Sequence, residues 1–123
     1  MPKRSADLEE YALGHSHGRC AVCHWRKYRP GRHLEVHHVQ GRRGKNPHDH
    51  RNLLMLCNEC HYGFHSGGQR SLDICQLMTA KQEEDGAVDM EYLASLRHKK
   101  GMPCDPQPLP QWALDERVDN AAR

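Results

Sequence analysis

The sequence predicts a small α+β domain that needs a cross-link beyond its apolar core. Its 123 residues are enough for a single domain, but only 37% of them are hydrophobic and the chain has one Phe and two Trp. Two short strand-like runs lie among helical patterns, and four of the six cysteines form two C-x-x-C pairs. Small chains that bury little apolar surface usually depend on disulfides or a bound metal for stability.

The first 70 residues contain a predicted helix, two predicted strands and a second helix. A serine that can cap and a glycine that can terminate bound a helix over residues 5–13. HLEVHHV, residues 33–39, alternates apolar and polar side chains and predicts a strand. NLLML, residues 52–56, predicts a buried strand, with a helix as the alternative. A helix over residues 58–66 should follow and end at the next glycine pair.

The back half predicts more helix. Apolar side chains recur at helical spacing in residues 71–83 and 88–100. Four prolines between positions 103 and 110 predict an extended segment, and a short helix over residues 111–118 should close the chain. Four parts are therefore expected: an N-terminal helix and lead-in at 1–17, a core at 18–68, helices that pack on the core at 69–101, and a Pro-rich tail at 102–123.

The paired cysteines predict a structural zinc site. Cys20, Cys23, Cys57 and Cys60 form two C-x-x-C knuckles with 33 residues between the pairs. Four thiolates complete a tetrahedral zinc shell and leave no open position, which is typical of structural sites. The long segment between the knuckles must then fold as an inserted hairpin. Two cysteines outside the pattern, Cys75 and Cys104, are interpreted as ordinary buried or free thiols.

The same letters also fit a second kind of site. CAVCH and CNECH, which begin at Cys20 and Cys57, each match the C-x-x-C-H signature of covalent haem attachment. The first residues, MPKRSADLEE, contain no apolar segment typical of a signal peptide, and no stretch has membrane-spanning length. We therefore expect a cytoplasmic protein with reduced thiols and no membrane partner, which favours zinc. A diheme cytochrome remains the alternative.

Charge and histidine are concentrated in the same part of the chain. Residues 14–70 contain ten Lys and Arg against three acidic residues, together with ten of the eleven histidines. Residues 71–123 are acidic, with ten acids against six Lys and Arg. A basic segment favours a polyanionic partner, most commonly nucleic acid. The alternative is a solvated basic surface without a partner.

Four histidines are placed so that three of them can converge. His37 and His38 are adjacent on the predicted strand, and His61 and His65 lie four residues apart on one face of the following helix. Three imidazole ligands leave an open coordination position, as catalytic metal sites do. The remaining histidines of this region are interpreted as surface residues: His15, His17, His24, His33, His48 and His50.

Together these segments resemble a known enzyme family. LEVHHV…GKNPHDHRNLLMLCNECHYGFH resembles the HNH endonucleases, which have the ββα-metal fold, over roughly residues 18–66. The three family letters correspond to His38, Asn52 and His61. The framing C-x-x-C pairs are similar to those of a zinc-stapled subgroup common in phages and bacteria. His65, and Glu35 three residues before His38, look like their counterparts in the nuclease colicins.

This resemblance implies a nuclease that hydrolyses DNA phosphodiester bonds in a bacterium or a phage-infected host. His38 would be the general base for the attacking water. A divalent metal, Mg, Mn, Ni or Zn, would be held by His37, His61 and His65 and would contact the scissile phosphate. In a regular strand His37 and His38 point to opposite faces. Both can serve one site only if the strand ends or twists there, as Gln40 and Gly41 would allow.

The resemblance also implies supporting roles. Asn52 would tie the loop that orients the base, and Glu35 would steady the metal-binding imidazoles from behind. Three basic loop residues, Arg42, Arg43 and Lys45, would bind DNA phosphates without reading sequence.

A second hypothesis is a non-catalytic zinc module that binds nucleic acid or protein, although it gives no reason for the histidine pairs. The C-terminal tail is a candidate docking segment for a protein partner. The sequence does not determine the oligomeric state or the DNA specificity.

Overall fold

The computed structural model describes residues 5–16, 18–26, 30–41, 47–96 and 104–122. It is a small α+β fold in which a two-stranded antiparallel sheet is surrounded by helices, as predicted. In chain order the elements are α1 (Ser5–Ser16), β1 (Leu34–His38), β2 (Leu53–Cys57), α2 (Asn58–Ser66), α3 (Ile74–Asp85), α4 (Met90–Leu96) and α5 (Gln111–Ala122). Short 3-10 turns precede β2 at His50–Asn52 and follow α2 at Gly68–Arg70.

Strands β1 and β2 form the hairpin that carries the site. Leu34 pairs with Cys57 at one end and His38 pairs with Leu53 at the other. Every residue of β2 is buried, since helices α1 and α2 both pack against the hairpin. This burial explains why NLLML shows no polar alternation although it contains a strand.

Helix α2 begins directly after β2, without a loop. Cys57 is its N-cap, and the Cys57 Sγ accepts a hydrogen bond from the Cys60 backbone N–H at 3.4 Å. The helix ends at Gly67, whose φ of 78° is readily adopted by glycine. Because strand and helix are contiguous, a cysteine pair and a histidine pair occupy successive turns of one short segment.

A glycine inside α2 allows the backbone that follows the helix to pack directly against it. The backbone carbonyl of Arg70 lies against Gly63, where a Cβ atom would overlap it. Gly63 is buried at this contact. The close approach places the Arg70 side chain beside the cysteine knuckle, with its Nη2 3.1 Å from the Cys60 Sγ.

Replacing Gly63 with alanine is expected to lower the free energy of unfolding. Overpacking at a close backbone contact costs about 1–3 kcal/mol, which exceeds the gain of up to about 1 kcal/mol in helix propensity. Chemical denaturation measures the change. Gly14→Ala in α1 is the matched control, since a Cβ at Gly14 meets no atom within 4 Å. That control should be neutral or stabilising, and equal effects of the two variants would contradict the role of Gly63.

The C-terminal helices complete the apolar core and pair their acids with the basic front half. Leu77, Met78, Leu93 and Leu96 are fully buried. The ion pairs that join the two halves are Arg51 with Asp89, Arg32 with Glu116, Arg70 with Glu116, and His50 with Asp85. The acidic composition of the back half is thus complementary to the basic core.

Lys81 on α3 is a buried cation, with 2% of its side chain exposed. Its Nζ donates to the backbone carbonyls of His50 and Leu53 and lies 3.0 Å from the Asp85 carboxylate. Burial lowers the pKa of the Lys81 ammonium, although Asp85 opposes that shift. These contacts fasten α3 to the backbone on both sides of Asn52.

Several boundaries and one cysteine assignment differ from the predictions. Helix α1 continues through Gly14 to Ser16 instead of ending at residue 13, and α3 begins at Ile74 instead of residue 71. Helix α5 is longer than residues 111–118, because it continues to Ala122 along the first cysteine knuckle. The interpretation of Cys75 and Cys104 as ordinary thiols is wrong, since the structure joins them in a disulfide between α3 and the Pro-rich segment. Within the described residues, no helix has the length and apolar character needed to cross a membrane.

Candidate metal centres

The four knuckle cysteines converge on one point. Each is fully buried, and their sulfur atoms all lie within 4.8 Å of one another. Cys20 and Cys23 come from the turn before β1, while Cys57 and Cys60 come from the junction of β2 and α2. The segment between the pairs contains the hairpin, as the 33-residue spacing predicts.

The sulfur geometry fits tetrahedral zinc. Zn–S bonds of about 2.3 Å place neighbouring sulfurs about 3.8 Å apart in a regular tetrahedron, and the Cys23 and Cys57 sulfurs are 3.8 Å apart. The thiols alone cannot all ionise. Burial raises the pKa of Cys20, whereas hydrogen bonds from Cys20, Cys23 and Cys60 lower the pKa of Cys57. A divalent cation would relieve this competition by accepting all four thiolates.

Two arginine side chains flank the sulfur cluster. Arg32 Nη1 lies 3.5 Å from the Cys23 sulfur and 3.8 Å from that of Cys57, and Arg70 Nη2 lies 3.1 Å from that of Cys60. A zinc ion with four thiolates has a net charge of −2, which two guanidinium groups can balance. Glu116 of α5 accepts from both arginines and holds them in place.

Helix α5 covers the outer side of the first knuckle. Arg117 donates to the carbonyls of Val22 and Ala21 at 2.7 and 3.1 Å. The Asn120 side-chain amide donates to the Cys23 carbonyl at 2.8 Å. These bonds satisfy backbone acceptors that the tight knuckle leaves free of secondary structure.

Three histidines form a second cluster on the other side of α2. His37 Nδ1 lies 3.3 Å from His61 Nε2, and His65 Nε2 lies 3.2 Å from the same atom. In a tetrahedral site with metal–nitrogen bonds of about 2.0–2.1 Å, ligand nitrogens are about 3.3 Å apart. The imidazoles therefore have the spacing of ligands that share one ion.

Glu35 fixes the ring of His61. Its Oε1 accepts from His61 Nδ1 at 2.8 Å and its Oε2 accepts from His33 Nε2 at 2.7 Å. With the proton on Nδ1, His61 presents the Nε2 lone pair to the other two rings, as in carboxylate–histidine–metal arrangements. Partial burial acts to raise the pKa of Glu35, but the hydrogen bonds from His61 and His33 outweigh it and lower that pKa.

His37 is held in the neutral form that binds metals. Its side chain is buried against Phe64, with ring centroids 4.9 Å apart. Burial, followed by the positive charges that His61, His65 and His38 can carry, lowers the pKa of His37 to about 3. At neutral pH its imidazole is therefore an electron-pair donor.

His38 is not one of the three clustered histidines, and its ring meets a different residue. It is the last residue of β1 and is buried, and its Nε2 lies 2.9 Å from His48 Nδ1 in the loop before β2. His37 and His38 thus have different neighbours, as successive residues of a strand do, while the end of β1 at His38 is the condition under which both can serve one site. The strand ends immediately after His38, at the turn that was expected there.

Asn52 is fully buried and uses its side chain to tie the loop. Its Nδ2 donates to the carbonyls of Gly41 and Pro47, and its Oδ1 accepts from the Gln40 backbone N–H. The described hydrogen bonds of this amide all go to the backbone on either side of residues 42–46. This is the arrangement that a loop-tying residue requires.

The surface interpretation of His48 is wrong, since its ring contacts His38. His33 is exposed but bonds to Glu35, and His50 lies 3.5 Å from Asp85. His24 is half-buried at a φ of 64°, and burial, followed by the charges of Arg117 and Arg19, lowers its pKa to about 4.

The predicted DNA contacts Arg42, Arg43 and Lys45 lie outside the described residues, as do the side chains of His15 and His17.

A surface groove of about 740 Å³ opens beside the histidine cluster. Its walls come from β1, α2 and the turn after α2, and include Glu35, Asn58, His61, Tyr62, His65 and Arg70. His65 is exposed, so the open side of the three-nitrogen cluster faces this groove. A ligand in the groove would reach the imidazoles without displacing the core.

Residues 20–67 match the family model of the HNH endonucleases. The matched stretch contains both cysteine pairs, the hairpin and helix α2. It confirms the predicted family resemblance and agrees with a ββα-metal core beside a four-cysteine cluster. No curated protein and no solved structure matches the chain.

Proposed function

We propose that residues 20–67, an HNH endonuclease domain, hydrolyse DNA phosphodiester bonds with one divalent metal ion held by His37, His61 and His65. The observation that carries this proposal is the convergence of three imidazole nitrogens, with His61 Nε2 within 3.2–3.3 Å of the other two. A purely structural zinc module needs only the four cysteines and has no use for this second cluster.

Each residue of the site would have a distinct role in cleavage. His38 would take a proton from the attacking water, because a neutral imidazole is a suitable base near physiological pH. Glu35 would keep His61 in the ligating tautomer, and Asn52 would hold the loop beside His38. When bound, the divalent ion would supply charge stabilisation at the scissile phosphate and the leaving oxygen. Arg42, Arg43 and Lys45 remain the proposed phosphate contacts.

Metal counting combined with a cleavage assay tests the proposal. The purified protein should nick or cut supercoiled plasmid with one or more of Mg, Mn, Ni and Zn, and should bind a second metal beyond the cysteine-bound zinc. His61→Ala should lose the second metal and the cleavage while keeping the zinc, because it removes the nitrogen shared by both short contacts.

Tyr62→Ala is the control for metal content. Tyr62 follows His61 on the same helix and its side chain is exposed, so this variant should bind both metals. A wild-type protein that binds a single zinc and leaves every DNA substrate intact would contradict the proposal and favour the non-catalytic zinc module.

A further inference from the structure

The contact between His38 and His48 joins the proposed base to a second loop. His38 Nε2 and His48 Nδ1 are 2.9 Å apart, the ring centroids are 5.0 Å apart and the ring planes are inclined by 66°. This distance and inclination are those of a ring-to-ring hydrogen bond and exclude stacking. One imidazole must donate and the other must accept, so the contact restricts the tautomers of both rings.

The backbone on both sides of His48 is held by Asn52. The Asn52 side-chain Nδ2 donates to the Pro47 carbonyl at 2.8 Å, and the Asn52 backbone N–H donates to the Asp49 carbonyl at 2.9 Å. These bonds hold the residues immediately before and after His48. Asn52 therefore holds the loop backbone that carries His48, and the His48 ring bonds to His38.

Asp49 and Lys81 make this loop rigid from two further directions. The Asp49 carboxylate accepts from the Arg51 backbone N–H and side chain. Lys81 donates to the carbonyls of His50 and Leu53, so α3 anchors the segment that follows the loop. Ordered partners of this kind fix the ring of a functional side chain more firmly than a solvated loop could.

We propose that His48 is a positioning residue that fixes the ring orientation and tautomer of His38. The inference rests on the proposed function, in which His38 is the base. In the tautomer that serves this role, His38 donates from Nε2–H to His48 Nδ1 and keeps its lone pair on Nδ1. The proton of the attacking water would then be accepted at His38 Nδ1.

Kinetics of two His48 variants test the assignment. His48→Ala should lower kcat by roughly 10–100-fold, the usual effect of losing a residue that orients a functional group, with unchanged KM, metal content and melting temperature. His48→Asn should recover most of kcat, because an asparagine side-chain oxygen can accept in place of imidazole Nδ1. His24→Asn, the same substitution at a half-buried histidine outside the loop, is the control and should cleave as the wild type does.

Ring-nitrogen NMR gives a measurement that does not depend on cleavage. In the zinc-loaded wild-type protein at mildly alkaline pH, His38 should be a single tautomer protonated at Nε2, and in His48→Ala it should become a tautomer mixture. A wild-type His38 protonated at Nδ1, or an unchanged kcat in His48→Ala, would overturn the inference. An equal loss of kcat and melting temperature in both His48 variants would also overturn it. A wild-type protein that cuts no DNA would refute the proposed function instead, while the NMR result would still decide the hydrogen bond.

Discussion

Replacing Cys60 with serine is expected to abolish zinc binding and to unfold the domain. Structural zinc in small domains contributes on the order of 10–16 kcal/mol near neutral pH, whereas the net stability of a whole domain is about 5–15 kcal/mol. Cys60 is completely buried and its sulfur accepts from Arg70. Without the ion, three buried thiols and two guanidinium groups would remain together with no cation to organise the sulfurs.

Zinc analysis and circular dichroism during heating measure this result. Cys75→Ser is the matched control, because Cys75 lies outside the sulfur cluster and forms a disulfide with Cys104. That variant should lose the disulfide, keep the zinc and still unfold cooperatively. A strong chelator should reproduce the Cys60→Ser result in the wild-type protein. Cooperative melting of Cys60→Ser at the wild-type temperature would show that the zinc is dispensable for the fold.

The hairpin and helix α2 could be predicted because their signals are local. β1 is recognisable from its side-chain alternation, and α2 from the knuckle before it and the glycine after it. The cysteine pair and the histidine pair at the strand–helix junction were predictable for the same reason, whereas the hairpin brings Cys20, Cys23 and His37 to them. For β1 and α2, the spacing of residues in the sequence is enough to predict which side chains lie together on one face.

Contacts made by loops and by distant helices could not be predicted in this way. His48 meets His38 only because Asn52 closes the loop between the strands, and no periodic pattern encodes that closure. The helical pattern of α3 does not encode the burial of Lys81, whose Nζ donates to the carbonyls of His50 and Leu53 far earlier in the chain. The role of α5 depends on Glu116 meeting two arginines that are remote from it in sequence.

These long-range contacts change the interpretation of the acidic back half. Part of its charge is matched within the fold, because Glu116, Asp89 and Asp85 are paired with residues in the front half or on their own helix. Helices α3 and α5 support the segment around Asn52 and the zinc cluster, respectively. The back half is therefore part of the framework of the site.

Replacing His38 with asparagine is expected to lower the rate of DNA cleavage by about 10²–10⁴-fold, the usual contribution of a general base. The zinc content, the second metal and the melting temperature should be unchanged, because His38 points to His48 and not to the three-histidine cluster. Single-turnover cleavage of supercoiled plasmid, with parallel metal analysis, measures both properties. The same substitution at His24 is the control and should leave the rate unchanged.

The adjacent residue makes this experiment specific. His37→Asn removes a nitrogen from the metal cluster, so it should lose both the second metal and the cleavage. His38→Asn should lose the cleavage alone. The two neighbours differ in this way because His37 contacts His61 of the metal cluster, whereas His38 contacts His48 of the loop. Loss of the second metal in His38→Asn, or full activity in that variant, would remove His38 from the role of base.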